Sequence, residues 1–489
     1  MLQNQGKIRF SEYAGLYNIV VPQDHEFRKW EELCDGFQFV YDELKCKYCP
    51  DNGRTAVDPR ILFKYLLLKV IDGFSDVDIV KHSRYDMAYK WFLGLMPEDD
   101  VIDPSLLTKF RRQRLQDVNL LDMLVTKSIS IAREHGLLKS KTIIVDSTHT
   151  VCRYTPQSQV EELRKRSAAL RKSLYGFDEK IKAQLPEKYE GTDLEKEMEY
   201  VNRLIEKVKT IPFVQLPVVY EKLNFLAEAI DDIKDHYTTS TDSDARIGHK
   251  TADTEFFGYK THIALTEEGL ISAATITSGE KPDGPELPNL IDKSRENGID
   301  VDTVIGDGAY SDKKNLDNAE DKHIKIVAKL KPNVAAEPGA VQEGFVYNKD
   351  AEMYTCPAGH LAMSKQILKY NTPGKSQREV YHFSRKKCKV CELRDKCWSH
   401  PNLKHKSISI TIRQEIHQKQ LDYEKTEEFK EKYRERYKIE SKNADLKNNY
   451  GYRKSISYGI DAMEMQGAVT LFASNMRRIM RLMAGNQTK

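Results

Sequence analysis

The residues best suited to catalysis lie in a charged stretch late in the chain, from Glu431 to Lys447. The stretch contains neither Gly nor Pro, and its composition predicts a helix. At about 100° per residue, one stripe of that helix would carry four side chains: Tyr433, Arg436, Glu440 and Lys447. A carboxylate flanked by cations and a tyrosyl hydroxyl suits an acid that binds a metal ion beside a polyanion. The alternative is a solvated helix face with ordinary ion pairs.

Two aspartates earlier in the chain could join Glu440 in one acidic site. Asp146 ends the apolar run of a short β-branched segment, residues 141–148, which reads as a strand. Asp307 follows a second such segment between two glycines, which let a ligand approach the backbone closely. Hard divalent cations prefer carboxylate oxygens, and two of them about 4 Å apart can assist phosphodiester cleavage. The three acids therefore predict a site for two Mg²⁺ or Mn²⁺ ions, with one aspartate bridging both.

The sequence lacks the motifs of several other chemistries. It contains neither the Gly-x4-Gly-Lys-Ser/Thr motif of nucleotide P-loops nor a Gly-x-Ser-x-Gly nucleophile motif. The net charge is only +3, so a nucleic-acid partner would have to be bound by local basic clusters. The polar start is unlike a signal peptide, and the longest apolar run, 61–71, contains two lysines and is too short for a membrane span. We therefore expect a cytoplasmic protein, whose eight cysteines do not form a disulfide scaffold.

The segments around these acids read as a mixed sheet with helices on its faces, an α/β fold. The predicted elements follow in this order: a strand at 141–148, a hairpin at 256–277, a helix at 285–297, a strand at 302–310, a helix from about Asp312 and a strand at 324–330. The helix with Glu440 comes later, and a final helix covers 462–483. We assign three segments to this catalytic core: 140–154, 238–334 and 426–489.

The first part of the chain, residues 1–135, reads as a series of short helices. A helix starts at Asp58-Pro59 and ends at Gly73, and three more follow before about residue 114. The last of them carries the basic side chains Lys109, Arg111, Arg112 and Arg114. Short helices with a basic last one are typical of helix-turn-helix DNA-binding domains. A helical bundle with a solvated basic face is the alternative.

Two further segments interrupt the core. Residues 155–237 contain heptad-like apolar seams at 194–208 and 223–233, which predict a coiled-coil-like helical insertion that packs on itself or on a partner subunit. Residues 335–425 contain four cysteines that could form a tetrahedral zinc site: Cys356, Cys388, Cys391 and Cys397. Buried or redox-active thiols are the alternative. The basic run 385–387 and Trp398 flank these cysteines and could meet DNA, or form a charged loop over a small core.

With these motifs together, the chain resembles the DDE transposases of bacterial insertion sequences. It is similar to those with a Tyr-x2-Arg-x3-Glu-x6-Lys signature, matched by Tyr433, Arg436, Glu440 and Lys447. The resemblance covers nearly the whole chain and includes Asp-Pro-Arg at 58–60, Val-Asp-Ser-Thr at 145–148, the Phe-Phe-Gly-Tyr-Lys strand, Gly-Asp-x-x-Tyr at 306–310 and the Cys-x2-Cys-x5-Cys segment. It implies an RNase H-like catalytic core in which Asp146, Asp307 and Glu440 are the acidic triad. It also implies that Tyr433, Arg436 and Lys447 contact transposon-end DNA near the scissile phosphate.

The resemblance implies a sequence of reactions on double-stranded DNA in the bacterial cytoplasm, at the nucleoid. A homodimer would bind the terminal inverted repeats, metal-activated water would cut there, and the released 3′-OH would attack target DNA. A hairpin route, with a flipped base stacked on an aromatic residue such as Trp398, is a variant. Two other classes stay open: a transposase-derived DNA-binding or regulatory protein without cleavage activity, and a general RNase H-like DNA nuclease.

Overall fold

The computed structural model describes most of the chain. The described residues are 2, 11–49, 55–153, 158–234, 242–251, 254–335, 344–369, 376–397 and 406–487. Trp398, which the sequence marked as a stacking candidate, lies outside the described residues. Within these ranges no helix combines the length and the apolar character of a membrane span.

The N-terminal region is helical, as predicted. Its helices are α1 (Leu16–Val20), α2 (Glu26–Leu33), α3 (Gln38–Leu44), α4 (Pro59–Asp72), α5 (Asp76–Ser83), α6 (Met87–Leu93), α7 (Ser105–Gln113) and α8 (Leu120–Glu134). α4 begins where the Asp58 carboxylate accepts a hydrogen bond of 2.8 Å from the Arg60 backbone N–H. It ends at Gly73, whose φ of 69° favours glycine. Both ends therefore lie where the sequence places them.

α4 is the buried centre of this region. Its Lys64 ammonium lies 2.7 Å from the Glu31 carboxylate on α2, and Lys69 lies 2.5 Å from Asp76 on α5. An unpaired charge in such a place would be costly, so these two pairs fix how α4 packs against its neighbours. α4 and α8 also pack against the last helix of the chain, which joins the helical region to the sheet.

The strand β1 (Thr142–Val151) leads into a set of helices with a core of its own. These helices are α9 (Gln159–Tyr175), α10 (Leu194–Lys209) and α11 (Pro217–Lys234). The apolar seams at 194–208 and 223–233 pack together with the apolar face of α9. The apolar stripes that suggested a coiled coil are therefore covered within the chain.

A buried carboxylate holds the place where the chain leaves the sheet and returns. Asp242 precedes the second strand and is 1% exposed. Its oxygens accept hydrogen bonds from the Cys152 thiol at 3.2 Å and from the Tyr259 hydroxyl at 2.5 Å. Because Cys152 directly follows β1, these bonds keep the end of β1 in place despite the long excursion between the strands.

The central sheet is mixed and has six strands among the described residues. After β1 come β2 (Arg246–Thr251), β3 (Thr254–Thr266), β4 (Ile271–Ser278), α12 (Leu287–Glu296), β5 (Thr303–Ile305), α13 (Lys313–Asp321) and β6 (Lys325–Val327). The strand order is β2-β3-β1-β5-β6, and β4 also pairs with β3. β1 is antiparallel to β3 and parallel to β5. The predicted hairpin is confirmed, with Gly269 at φ 84° in its turn.

Three details of the sheet differ from the predictions. Asp146 does not end its strand, because β1 continues to Val151, where it still pairs with Gly258 of β3. The predicted strand at 302–310 is too long, since β5 stops at Ile305. The polar stretch before β3 was not predicted as a strand, yet it forms β2. In each case the extent of a strand depends on a partner distant in sequence.

The cysteine-containing segment is built from small sheets. It comprises α14 (Pro332–Ala335), β7 (Val346–Asn348), β8 (Met353–Thr355), β9 (Ser364–Leu368), β10 (Arg378–His382), α15 (Arg385–Lys389), α16 (Arg394–Cys397) and β11 (Ser407–Thr411). Its small core contains Phe345, Tyr354 and Tyr381. The next helix, α17 (Glu415–Glu424), packs instead on the central sheet, where the Gln420 amide donates to the carbonyls of Ile326 and Ala328 at 3.0 and 2.9 Å.

The predicted single helix over 431–447 is wrong in one respect. The structure has two helices, α18 (Glu427–Arg434) and α19 (Tyr437–Asn449), before the final helix α20 (Ile460–Gln487). Between α18 and α19 the backbone N–H groups of Glu435, Arg436 and Lys438 each bond to the carbonyl three residues earlier. This tighter turn redirects the chain. As a result the buried side chains Phe429 and Ile439 both reach the same core.

Candidate active site

Asp146 and Asp307 are brought together by the parallel pairing of β1 with β5. The register places Ile144 opposite Ile305, so each aspartate lies two residues further along its own segment. Residues two apart on a strand share a face, so Asp146 points to the same side as Ile144. Both isoleucines pack in the core that also receives α19. Asp146 therefore lies on the side of the sheet that α19 covers, and Asp307 is close enough for its charge to act on Asp146.

The electrostatic surroundings of Asp146 favour the binding of a cation. The pKa of Asp146 is raised to about 6, mainly by burial and also by the charges of Asp307 and Asp283. The backbone N–H of Ser147 and the charge of Arg436 act in the opposite direction. A carboxylate held close to other carboxylates in a partly dry site favours a bound positive charge.

Asn443 is a site residue that the sequence reasoning missed. Its amide nitrogen donates a hydrogen bond of 3.0 Å to Asp146 Oδ2. Its Oδ1 is buried and has no hydrogen-bond partner among the described residues. A buried acceptor without a hydrogen-bond partner is costly in free energy. We therefore expect a donor, a water molecule or a cation to contact this oxygen. The available signal was its spacing, since Asn443 lies one helical turn after Glu440 on the same face.

The signature residues contact one another as the predicted stripe requires. The Arg436 guanidinium donates to the Tyr433 hydroxyl at 3.4 Å and lies 5.5 Å from the centre of its ring. It also lies 3.4 Å from Glu440, whose side chain is 60% exposed. Glu440 is therefore paired with a cation and open to solvent.

The three acids do not close into a metal centre in this conformation. Among the described residues, no three or more His, Cys, Asp or Glu side chains form a group that could hold a metal ion. The charges of Asp146 and Asp307 act on each other, while Glu440 lies beside Arg436.

Lys447 lies at the end of α19 and completes the signature. The pKa of Lys447 is lowered to about 8, mainly by burial and also by the charges of Lys250 and Arg453, against which the charge of Asp146 acts. Lys447 is thus close to Asp146 and to two other cations. Neither Lys250 nor Arg453 was among the residues chosen from the sequence.

The basic residues predicted on α7 divide into two groups. The Arg111 guanidinium pairs with Asp76, and Arg114, just after the helix, donates to the Lys47 carbonyl and lies 4.5 Å from the Tyr48 ring centre. Lys109 and Arg112 are exposed. The first pair of arginines stabilises the helical region, which leaves the second pair as the candidates for contact with DNA.

The four cysteines of the second interruption line one cavity. Cys356, Cys388, Cys391 and Cys397 surround it together with His360. Burial raises the pKa of the Cys397 thiol, and the three other cysteines are close enough to raise it further. The His360 backbone N–H donates to the Cys356 sulfur at 3.4 Å. The four thiols therefore line one cavity, although they are not arranged as a group that could hold a metal ion among the described residues.

Two family models match the chain. The first, described as "Transposase domain (DUF772)", matches residues 16–113. The second, described as "Transposase DDE domain", matches residues 229–476, just over half of the chain. The second match contains Asp307, Glu440 and the signature residues. Asp146 precedes the match in the sequence, separated from it by α9, α10 and the first part of α11. No curated protein and no solved structure matches the chain.

Proposed function

Because the chain belongs to the DDE transposases of insertion sequences, we propose that it moves its own element by cutting and joining DNA. In this proposal a homodimer at the bacterial nucleoid binds the terminal inverted repeats, cuts there and joins the released 3′ ends to target DNA. One observation carries the proposal: Asp146 on β1 and Asp307, two residues after the neighbouring β5, are close enough for their charges to interact, and α19, which bears Glu440 and Lys447, packs on β1.

We propose that the central sheet is an RNase H-like catalytic core. The order β1, antiparallel hairpin, α12, β5 supports this, because it places one acid on the first strand and the next after a parallel neighbour. The proposed core segments are 140–154, 238–334 and 426–489. The region 1–135 is the proposed DNA-binding domain, and 155–237 and 335–425 are the proposed insertions.

The donor set fits the divalent ions that this family uses. Asp146 and Asp307 offer hard carboxylate oxygens near one another, and Asn443 offers an oxygen without a partner among the described residues. In this proposal Glu440 of α19 serves as the third acid. Two Mg²⁺ or Mn²⁺ ions, when bound, would supply positive charge at the scissile phosphate. Their binding would also relieve the repulsion between the two aspartates.

The remaining residues of the site have roles that follow from their contacts. Asn443 holds the Asp146 carboxylate by its amide hydrogen bond. Arg436 and Lys447 present cations beside the acids and can hold phosphate oxygens, and the Tyr433 hydroxyl keeps Arg436 in place. These side chains would orient the DNA strand before any bond changes.

The proposed reaction has only DNA and water as reactants. In the first step a water oxygen attacks the phosphorus at the element boundary, the bond to the 3′ oxygen breaks, and a 3′-OH is left. In the second step that 3′ oxygen attacks a target phosphorus while the bond from that phosphorus to the target's own 3′ oxygen breaks. The proton of the attacking hydroxyl passes through solvent to the departing 3′ oxygen, which becomes a new 3′-OH. Because the number of phosphorus–oxygen bonds is conserved in the joining step, no nucleotide is consumed, in agreement with the absence of a P-loop motif.

The proposal is tested by cleavage of a duplex that carries the DNA flanking the gene. Cutting at the repeat boundary supports a transposase. DNA binding without cutting identifies a regulatory protein, and cutting without preference for the repeats identifies a general nuclease.

We also propose that the four cysteines of the 335–425 segment bind a structural Zn²⁺ ion, because their thiols line one cavity. We expect purified protein to contain about one zinc ion per chain by elemental analysis. Replacing Cys388 and Cys391 together with Ser should reduce the zinc content to near zero. The matched control is Cys46→Ser, which changes an exposed cysteine outside the segment. Wild-type protein that remains zinc-free after purification with added zinc contradicts the proposal.

A further inference from the structure

The cysteine-containing segment concentrates positive charge. Its described residues, 344–369, 376–397 and 406–411, carry eleven lysines and arginines against five aspartates and glutamates, which gives a net charge of +6. The whole chain has a net charge of only +3. A polyanionic partner is therefore matched better by this segment than by the average surface of the protein.

The basic run at 385–387 lies in α15, and the cysteine cavity shows which way this helix faces. Ser384, Lys387 and Cys388 line that cavity, so they mark the inner side of the helix. At about 100° per residue, the positions between them turn away from the cavity. These positions carry three exposed cations: Arg385, Lys386 and Lys389. α15 therefore covers the cysteine cavity with one side and presents positive charge to solvent with the other.

Acids of the protein do not neutralise these three cations. None of the three forms an ion pair among the side chains that the structure describes, and the next acid along the chain, Glu392, is itself exposed. Lys365 on β9 differs, since its ammonium lies 2.7 Å from the Glu379 carboxylate on β10. Unpaired cations on one short helix repel one another, and phosphate oxygens between them replace that repulsion with attraction.

The segment is attached at the edge of the central sheet where Asp307 follows β5. β1, β5 and β6 are parallel, so their carboxyl ends share one edge, and ligands of such sheets bind there. After Asp307, the Ser311 hydroxyl donates to the Lys329 carbonyl at 2.9 Å, three residues before α14 begins the segment. Where the segment ends, the Arg413 guanidinium donates to the Ala335 carbonyl at 2.8 Å. The segment therefore leaves the core and returns to it beside the loop that carries Asp307.

We propose that Arg385, Lys386 and Lys389 form a second DNA-binding surface, which holds backbone phosphates of the duplex outside the site of cleavage. The surface rests on the proposed function and adds to it, because these residues lie outside both the signature and the N-terminal region. A duplex held at the aspartates continues past this edge of the sheet with one phosphate charge per about 1.7 Å of its axis. Contacts to phosphates carry no base specificity, so any duplex sequence fits the surface.

The test is the salt dependence of DNA binding by the full chain. Each lost phosphate contact should reduce the slope of log affinity against log salt by about 1. We therefore expect the triple variant Arg385→Gln, Lys386→Gln and Lys389→Gln to lower the slope by about 3 and the affinity by at least about tenfold, on end DNA and on random DNA alike. Gln is a good helix former, so α15 should persist, and thermal melting checks that the variant folds.

The matched control removes three charges from the opposite edge of the same sheet. Three lysines at the amino ends of β1 and β6 each pair with an acid: Lys141, Lys322 and Lys325. Their joint replacement with Gln should leave the slope unchanged.

An unchanged slope in the α15 variant overturns the surface, even if the wild-type protein cuts its ends, and makes α15 a solvated face. An equal decrease in the α15 variant and the control also overturns it, because net charge alone would then explain the effect. A lower slope in the α15 variant alone, in a protein that cuts no DNA, would keep the surface and reject the proposed function.

Discussion

Replacing Asp146 with Asn is expected to abolish strand cleavage, with a loss of at least about a thousandfold, while DNA binding changes by less than about twofold. The substitution keeps the shape of the side chain and an oxygen that can accept the Asn443 hydrogen bond. It removes the negative charge that a divalent cation requires. Cleavage of labelled end DNA and equilibrium binding of the same DNA measure the two effects separately.

Folding should not suffer in this variant. Because burial and the nearby Asp307 and Asp283 charges disfavour the ionised Asp146, a neutral Asn removes an unfavourable interaction. The melting temperature without metal should therefore be equal to that of the wild type or higher. Asp302→Asn is the control, since Asp302 is an exposed acid just before β5. If folding and DNA binding were lost together with cleavage, Asp146 would be a structural residue.

Replacing Glu440 with Gln is expected to lower cleavage by about a hundredfold to a thousandfold. Glu440 is exposed, so the substitution should leave the melting temperature unchanged within about 1 °C. It also frees Arg436 from its ion pair, so DNA binding should stay equal or become tighter. Single-turnover cleavage at saturating protein separates the chemical step from binding.

The control for this variant is Glu431→Gln, which changes an exposed acid on α18. It should leave cleavage unchanged. Full cleavage by Glu440→Gln would mean that the third acid lies elsewhere. Asp283 is then the residue to test, because its charge acts on Asp146 in the same way as that of Asp307. Loss of cleavage in Asp283→Asn alone would assign it the third position.

Much of the fold could be predicted because its signals are local. The start and end of α4 depend on Asp58, Pro59 and Gly73, which act within one turn of the helix. The hairpin of β3 and β4 depends on alternating β-branched residues around Gly269. The contacts among Tyr433, Arg436 and Glu440 follow from their spacing, and they survive the turn that divides the predicted helix.

The remaining features depend on contacts between distant segments. β1 continues beyond Asp146 because β3, more than a hundred residues later, pairs with its whole length. Asn443 could not be assigned a role from its residue type, since its role comes from its hydrogen bond to Asp146 on β1, about 300 residues earlier in the chain. The same holds for Lys250 and Arg453, which are ordinary basic residues until the fold places them beside Lys447.

Nucleotide-resolution cleavage of DNA that carries the gene's own flanking ends tests the central claim most directly. The wild-type protein should cut at the repeat boundary and leave a free 3′-OH, only when Mg²⁺ or Mn²⁺ is present. A matched duplex with scrambled ends should stay intact. Failure to cut with either metal, in a protein that binds the ends, would contradict a transposase with an active site at Asp146, Asp307 and Glu440.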